Sequence, residues 1–185
     1  MTRALFPRLV AASVGLALVL ACGGVAPDLD QKKKVRTDRV TFEHPGNWTA
    51  GFEPDRIEGL FMGIHEIEGG ESAMVFLTIY DATAPFDAGD IADMYMDALP
   101  GELGGIGLKQ TGRRAVKRQL NGVEADGVEV HFSADLLGIE VPHTLQVFTM
   151  LSESHSATVI TQIADEDIGT EQPGIDLVLD TVKLQ

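Results

Sequence analysis

Between Arg113 and Ala164 the chain reads as four strand-length segments divided by turn signals, and this ladder restricts the fold more than any other feature. The segments are 113–120, 123–133, 141–151 and 157–164. Asn121-Gly122, Gly138 and the stretch Ser152–Ser156 separate them. Asn-Gly supplies the positive φ angles of a tight hairpin, and strands joined by such short turns pair antiparallel. Upstream, 40–45 reads as a short strand closed by Pro45-Gly46. In 57–66, Leu60, Met62 and Ile64 alternate with Phe61, Gly63 and His65, which is strand period, and Gly69-Gly70 follows as a hairpin turn. Residues 73–80 are apolar on both faces, which predicts a strand covered from both sides. Two segments have helical spacing instead. In 87–99 the stripe is Ala88, Ile91, Ala92, Tyr95, Ala98 and Leu99, with Asp87 as N-cap and Pro100-Gly101 as the stop. Near the C-terminus Ile175, Val178, Leu179 and Val182 predict a helix starting at about Pro173, after an acidic loop over 165–172. The order of strands, helix, strands, helix gives an α+β class with a mostly antiparallel sheet.

The N-terminus has a different character. Arg3 and Arg8 precede an uncharged run from Leu9 to Ala21, which ends at Cys22-Gly23-Gly24. That run is shorter than the roughly 20 residues a spanning helix needs, so it reads as a secretory signal. Val19-Leu20-Ala21-Cys22 resembles the bacterial lipoprotein box, in which the precursor is acylated on the cysteine and cleaved before it. The chain is therefore expected to comprise a lipoprotein signal peptide (1–21), a lipid-anchored tether (22–39) and a folded domain (40–185). An ordinary cleaved signal with an incidental cysteine is the alternative. Each buried methylene contributes about 0.8 kcal/mol, so two or more acyl chains hold where one does not. The resemblance implies a cell-envelope location with the domain facing the periplasm, and Gly23 after the cysteine favours the outer membrane. Cys22 is also the only cysteine of the 185 residues, which excludes an internal disulfide and any multi-thiolate zinc site.

Charge divides along the same boundary. Seven of the 14 basic residues and three of the 28 acidic ones fall in 1–39, which leaves 40–185 at a formal −18. So acidic a domain excludes a nucleic-acid binder, which needs a basic surface, and is repelled by anionic membrane. Within the tether Lys32, Lys33, Lys34, Arg36 and Arg39 form a basic cluster able to rest on anionic headgroups; a solvated linker of about 55–60 Å at full stretch is the plainer reading.

Phe42-Glu43-His44-Pro45-Gly46-Asn47-Trp48, following such a tether, resembles the Phe-x-x-Pro-x-x-Trp opening of the PsbP-like superfamily, which includes DcrB-type bacterial lipoproteins. The later order of elements resembles it too. The resemblance spans about 38–185. It implies an α/β/α sandwich around an antiparallel sheet and a binding or assembly role in place of catalysis, with no cofactor. It carries over no metal or catalytic residue, because no matching motif is present.

No catalytic residue is assigned from the sequence. Arg113, Arg114, Lys117 and Arg118, with Lys109, supply five of the domain's seven basic residues. They are read either as the charged protection of an edge strand or as a docking patch for an acidic or phosphate-bearing envelope partner. His65, His131 and His143 fall on predicted strands and offer a metal site with Glu66 or Glu129 if they converge, the basis of an alternative metal-dependent hydrolase. Asp165, Glu166, Asp167 and Glu171 are read as a solvated acidic loop, with calcium as the alternative. Ser152–Ser156 has hydrolase-like letters without a nucleophile elbow. Trp48 is expected in the core beside Phe42 and Pro45. A gap between sheet and helix would suit a third reading, a carrier of a small apolar ligand.

Overall fold

The computed structural model describes residues 25–185 except 58, 59, 83, 85, 103, 104, 106 and 137. Its strands are β1 (Lys33–Arg36), β2 (Val40–His44), β3 (Thr49–Ile57), β4 (Leu60–Glu68), β5 (Met74–Tyr80), β6 (Gly107–Leu120), β7 (Val123–Leu136), β8 (Ile139–Leu151), β9 (Ser156–Ala164) and β10 (Lys183–Leu184). Helix α1 is Ala88–Glu102 and helix α2 is Ile168–Thr181, entered through a 3₁₀ turn at Asp165–Asp167. Seven strands form one sheet in the order β3-β4-β5-β9-β8-β7-β6, and β1-β2-β10 form a second, small one. Every recorded pairing is antiparallel.

The period-2 pattern sorts side chains between two cores. Val75, Leu77, Ile79, Val159, Ile163 and Phe148 point toward α2, where they bury Ile175, Val178 and Leu179. Their neighbours Phe76, Ile160, Val147 and Leu145, with Val130 and Phe132, point toward α1 and bury Ile91, Tyr95 and Leu99. The large sheet is thus sandwiched between the helices, and both helix–sheet interfaces are packed with side chains. Strand β9, at the centre, is buried along its whole length. Phe42 and Trp48 are fully buried in the α2-side core, as the Phe-Pro-Trp opening suggested. Trp48 lies so close to Gly174 on α2 that any Cβ there would collide with the indole.

The hairpin signals hold: Asn121 (φ 48°), Gly122 (φ 81°) and Gly138 (φ 88°) occupy the left-handed region that their turns require. Four boundaries move. The segment 57–66 is really the end of β3 and most of β4, and β3 escapes the apolar pattern because it is an edge strand with Gly51, Glu53 and Pro54 in it. The proposed tether contains strand β1, which pairs with β2 through Val35 and Phe42. Helix α1 runs past Pro100 to Glu102, since a missing N–H near the last turn costs one bond, and the Pro100 carbonyl accepts from Gly105 N–H at 2.7 Å. The Asp87 cap is as expected, with Oδ1 accepting from the N–H groups of Gly89 and Asp90.

The fourth change is the largest. The expected acidic loop over 165–172 is a 3₁₀ turn and the first turn of α2, with Pro173 inside the helix. Glu171 is fully buried, and its carboxylate accepts four backbone N–H groups of the β4–β5 turn: Gly70 (2.6 Å), Glu71 (2.9 Å), Ser72 (3.0 Å) and Ala73 (2.9 Å). Acidic residues suit the positive end of a helix. Here one of them also satisfies donors that a buried turn would otherwise leave unpaired.

Candidate functional site

Strand β6 is an edge of the large sheet, and its side chains alternate between the helix faces. Arg113 faces α1, where it pairs with Asp93 and donates to the Gly89 carbonyl at 3.1 Å. Arg118 faces α2 and pairs with Asp176 (2.9 Å) and Asp180 (3.3 Å). Lys117 pairs with Glu124 (2.9 Å) and Asp126 (3.1 Å) on the neighbouring strand. Arg114 donates from Nε to Glu129 Oε1 at 2.7 Å. All four basic side chains are therefore matched by carboxylates of the same molecule. The edge-protection reading has its geometry: a long, charged edge strand with a bulge between Gln110 and Gly112.

Glu129 anchors a polar cluster on the α2 face. It is buried, yet it accepts hydrogen bonds from Arg114, from Gln146 Nε2 (2.8 Å) and from the His131 ring (3.0 Å). Burial alone would raise its pKa; the bonds from Arg114 and Gln146, the Arg114 charge and the His131 bond outweigh that and hold it below the usual carboxylate range. Thr144 extends the cluster to the Asp165 carboxylate at 2.8 Å. A carboxylate held ionised by three donors fastens β6, β7 and β8 together; it is a poor proton acceptor for a reaction.

The three histidines do not converge. His131 is opposite Thr144 and faces α2; His143, opposite Phe132, faces α1 and stacks on that ring at 5.1 Å, with its Nδ1 2.9 Å from the Val141 carbonyl. His65 lies on β4, with β5, β9 and β8 between it and β7, and packs against Phe42 and Phe52. Glu66 is on the opposite face of β4 from His65, and Glu129 touches only His131 of the three. Among the described residues no group of three His, Cys, Asp or Glu side chains is placed to hold a metal ion. Nor is the Glu171 carboxylate open to calcium, since four N–H groups occupy it. Cys22 lies outside the described residues.

Sequence reasoning missed two features. His65 and Glu66 are adjacent titratable residues on an inner strand. His65 Nε2 and Glu66 Oε1 are both buried without a hydrogen-bond partner. Burial pulls the His65 pKa down to about 4; burial, then the nearby charges of Glu68 and Glu53, push that of Glu66 up to about 7. Alternation placed them on opposite faces, but only packing shows that neither finds a partner. The second feature is a cleft of ≈ 410 Å³ on the small sheet, where Lys34, Arg36 and Lys183 meet Thr41, Asn121 and Gln185. Nothing along the sequence signals that Lys183 joins residues so far upstream.

Comparison with solved structures fits this architecture. The chain superposes on the solution structure of cyanobacterial PsbP (CyanoP) from Synechocystis sp. PCC 6803 with a TM-score of 0.50 and 14% identity, covering 89% of this chain and 98% of that one. The fold is PsbP-like. LpqN, described as involved in cell envelope biogenesis of Mycobacterium tuberculosis, aligns more loosely, at a TM-score of 0.43 and 14% identity over 84% of this chain and 91% of that one. No family model matches the sequence, and no curated protein does. Among the described residues no helix is long and apolar enough to cross a membrane.

Proposed function

We propose that this chain is a lipid-anchored protein of the cell envelope that acts as a non-enzymatic binding or assembly module. The observation that carries the reading is the position of its only cysteine, at the end of a short apolar leader and directly followed by two glycines. Two further features support it. The four cations Arg113, Arg114, Lys117 and Arg118 of β6 are tied into structural pairs. The candidate histidines are distributed over two faces and distant strands. Acylation of Cys22 would hold the domain at the membrane, where its high net negative charge keeps it soluble.

Metabolic labelling with a fatty-acid analogue tests the anchor. The wild-type chain should take up label and fractionate with membranes, and Cys22→Ala should abolish both. Label retained by Cys22→Ala overturns the anchor. The binding role is tested separately by affinity capture from solubilised membranes, in which a specific envelope protein should be retained over a charge-matched control.

A further inference from the structure

We infer that the outer face of the small sheet β1-β2-β10 is a docking surface for anionic phospholipid headgroups, and that the domain lies on the bilayer through it. The inner face of this sheet is apolar: Val35, Phe42, Val40 and Leu184 pack into the α2-side core. Alternation then forces the outer face to carry Lys34, Arg36, Thr41, Glu43 and Lys183. The register sets Arg36 and Lys183 on either side of Thr41, and Lys34 beside Glu43. Lys34, Arg36 and Lys183 are exposed, and none forms an ion pair among the described residues, unlike Arg113, Arg114, Lys117 and Arg118 of β6. Three cations with one carboxylate thus form a local positive face on a domain that is otherwise acidic. The cleft between them is lined by Thr41, Asn121, Thr181 and Gln185 and by the Glu43 carboxylate, so its three cations outnumber its one anion and its hydroxyl and amide groups can donate to phosphodiester oxygens.

Chain length argues for a lipid surface over a soluble anion, and here the inference rests on acylation of Cys22. The N-terminal segment is bound to the domain well before β1: Asn47 accepts from Asp28 N–H (2.7 Å) and donates to the Ala26 carbonyl (3.0 Å), and the Asp28 carbonyl accepts from Gly46 N–H (3.0 Å). From Cys22 to Val25 is a reach of only about 10 Å, against the 55–60 Å expected of a free tether. An acyl chain on Cys22 would therefore keep the domain against the bilayer. The acidic remainder is repelled by anionic lipid, and the charge of Lys34, Arg36 and Lys183 is attracted within a Debye length of about 8 Å, which orients the domain. Arg39, part of the basic cluster in the sequence, does not belong to this face. It pairs with Asp38 and Asp81 and covers the Phe61 ring.

The experiment uses the full chain carrying Cys22→Ala, so that acylation plays no part and failure of the anchor cannot mimic failure of the face. Sedimentation is measured with vesicles of phosphatidylcholine alone and of phosphatidylcholine mixed with phosphatidylglycerol. Every variant shares the same leader, so the contribution of its apolar run and of Arg3 and Arg8 is common to all and only the change in the anionic-to-neutral binding ratio between variants is read. The ratio should exceed one at low salt and fall toward one at high salt. Lys34→Gln with Arg36→Gln and Lys183→Gln should lower it on the order of a hundredfold, and the triple change to Glu, which reverses the charges, by more. Lys117→Glu on β6 should leave it unchanged. Unaltered thermal melting of the Gln variant establishes that its fold is intact. A ratio unaffected by the triple variants, or lowered equally by Lys117→Glu, overturns the docking face. Displacement by inorganic phosphate at matched ionic strength overturns it in favour of a soluble phosphate ligand.

Discussion

Strands β4 and β6 lie toward opposite edges of the large sheet and handle charge in opposite ways. Inner strand β4 holds two titratable side chains that each bury a polar atom without a partner, His65 Nε2 toward Phe42 and Phe52 and Oε1 of half-buried Glu66 on the other face. Edge strand β6 carries five cations, and four of them, Arg113, Arg114, Lys117 and Arg118, each have a carboxylate within reach. The difference shows what decides protonation in this fold. A buried group without a partner moves toward its neutral form, whereas a partnered one keeps its charge even when, like Glu129, it is removed from water.

The largest expected effect tests the β4 side. His65, with a folded pKa of about 4, is destabilising in acid: its contribution is fully present above the unfolded value of about 6.5 and is lost as pH falls toward 4. Glu66, raised to about 7, has the opposite sign: its contribution is present below about 4.5 and lost as pH rises through 7. The His65 contribution amounts to about 3 kcal/mol over its window; that of half-buried Glu66 is smaller because solvent screens it, and between pH 4.5 and 6.5 the two oppose one another. Glu66→Gln removes one side of the balance. Denaturant titrations of that variant should show stability falling by about 3 kcal/mol between pH 6.5 and 4, and a gain over wild type at pH 8. Parallel pH profiles for the two proteins would break the comparison at β4.

On the β6 side the effects are smaller and graded by burial. Glu129→Ala removes an acceptor of three hydrogen bonds and should cost about 2 kcal/mol at pH 7 by denaturant unfolding. Because the pKa of Glu129 is depressed, the deficit should be complete above the unfolded carboxylate value of about 4.5 and shrink as pH falls through the lower folded value. Arg118→Ala, which unties β6 from α2, should cost about 1 kcal/mol. Lys117→Ala should leave the thermal midpoint unmoved, since both of its pairs are solvent-exposed. A large loss for Lys117→Ala together with none for Glu129→Ala would reverse the assigned ranking.

The small sheet adds a third case, exposed cations that form no ion pair among the described residues. Its charges are expected to matter for where the domain sits and not for whether it folds. Thus four of the five cations of the basic strand that stood out in the sequence are neutralised by carboxylates of the same domain, and the exposed positive face of the small sheet is assembled from two ends of the chain.

How far the sequence could be read follows from the range of each signal. Alternation and turn residues act over a few positions, so the hairpins at Asn121-Gly122 and Gly138, the doubly covered β5 and the apolar stripe of α2 were all legible. Trp48 and Phe42 were legible as core because large apolar groups are driven from water whatever surrounds them. Strand β3 was not, since an edge strand needs only one buried face and this one holds Gly51 and Pro54. Nor was the start of α2, because the reason Glu171 tolerates burial lies about a hundred residues away in the β4–β5 turn.

By itself, then, the sequence determined the α+β class, the antiparallel ladder, the acidic character of the domain and the expectation of an anchor at Cys22. Tertiary structure alone decided which charges meet: that Arg113, Arg114, Lys117 and Arg118 on edge strand β6 find carboxylates, that the three histidines stay apart, and that Lys183 joins Lys34 and Arg36. The physical reason is that hydrophobic periodicity is a property of neighbours along the chain, whereas the partner of an ionisable side chain is set by register and packing between segments far apart in it.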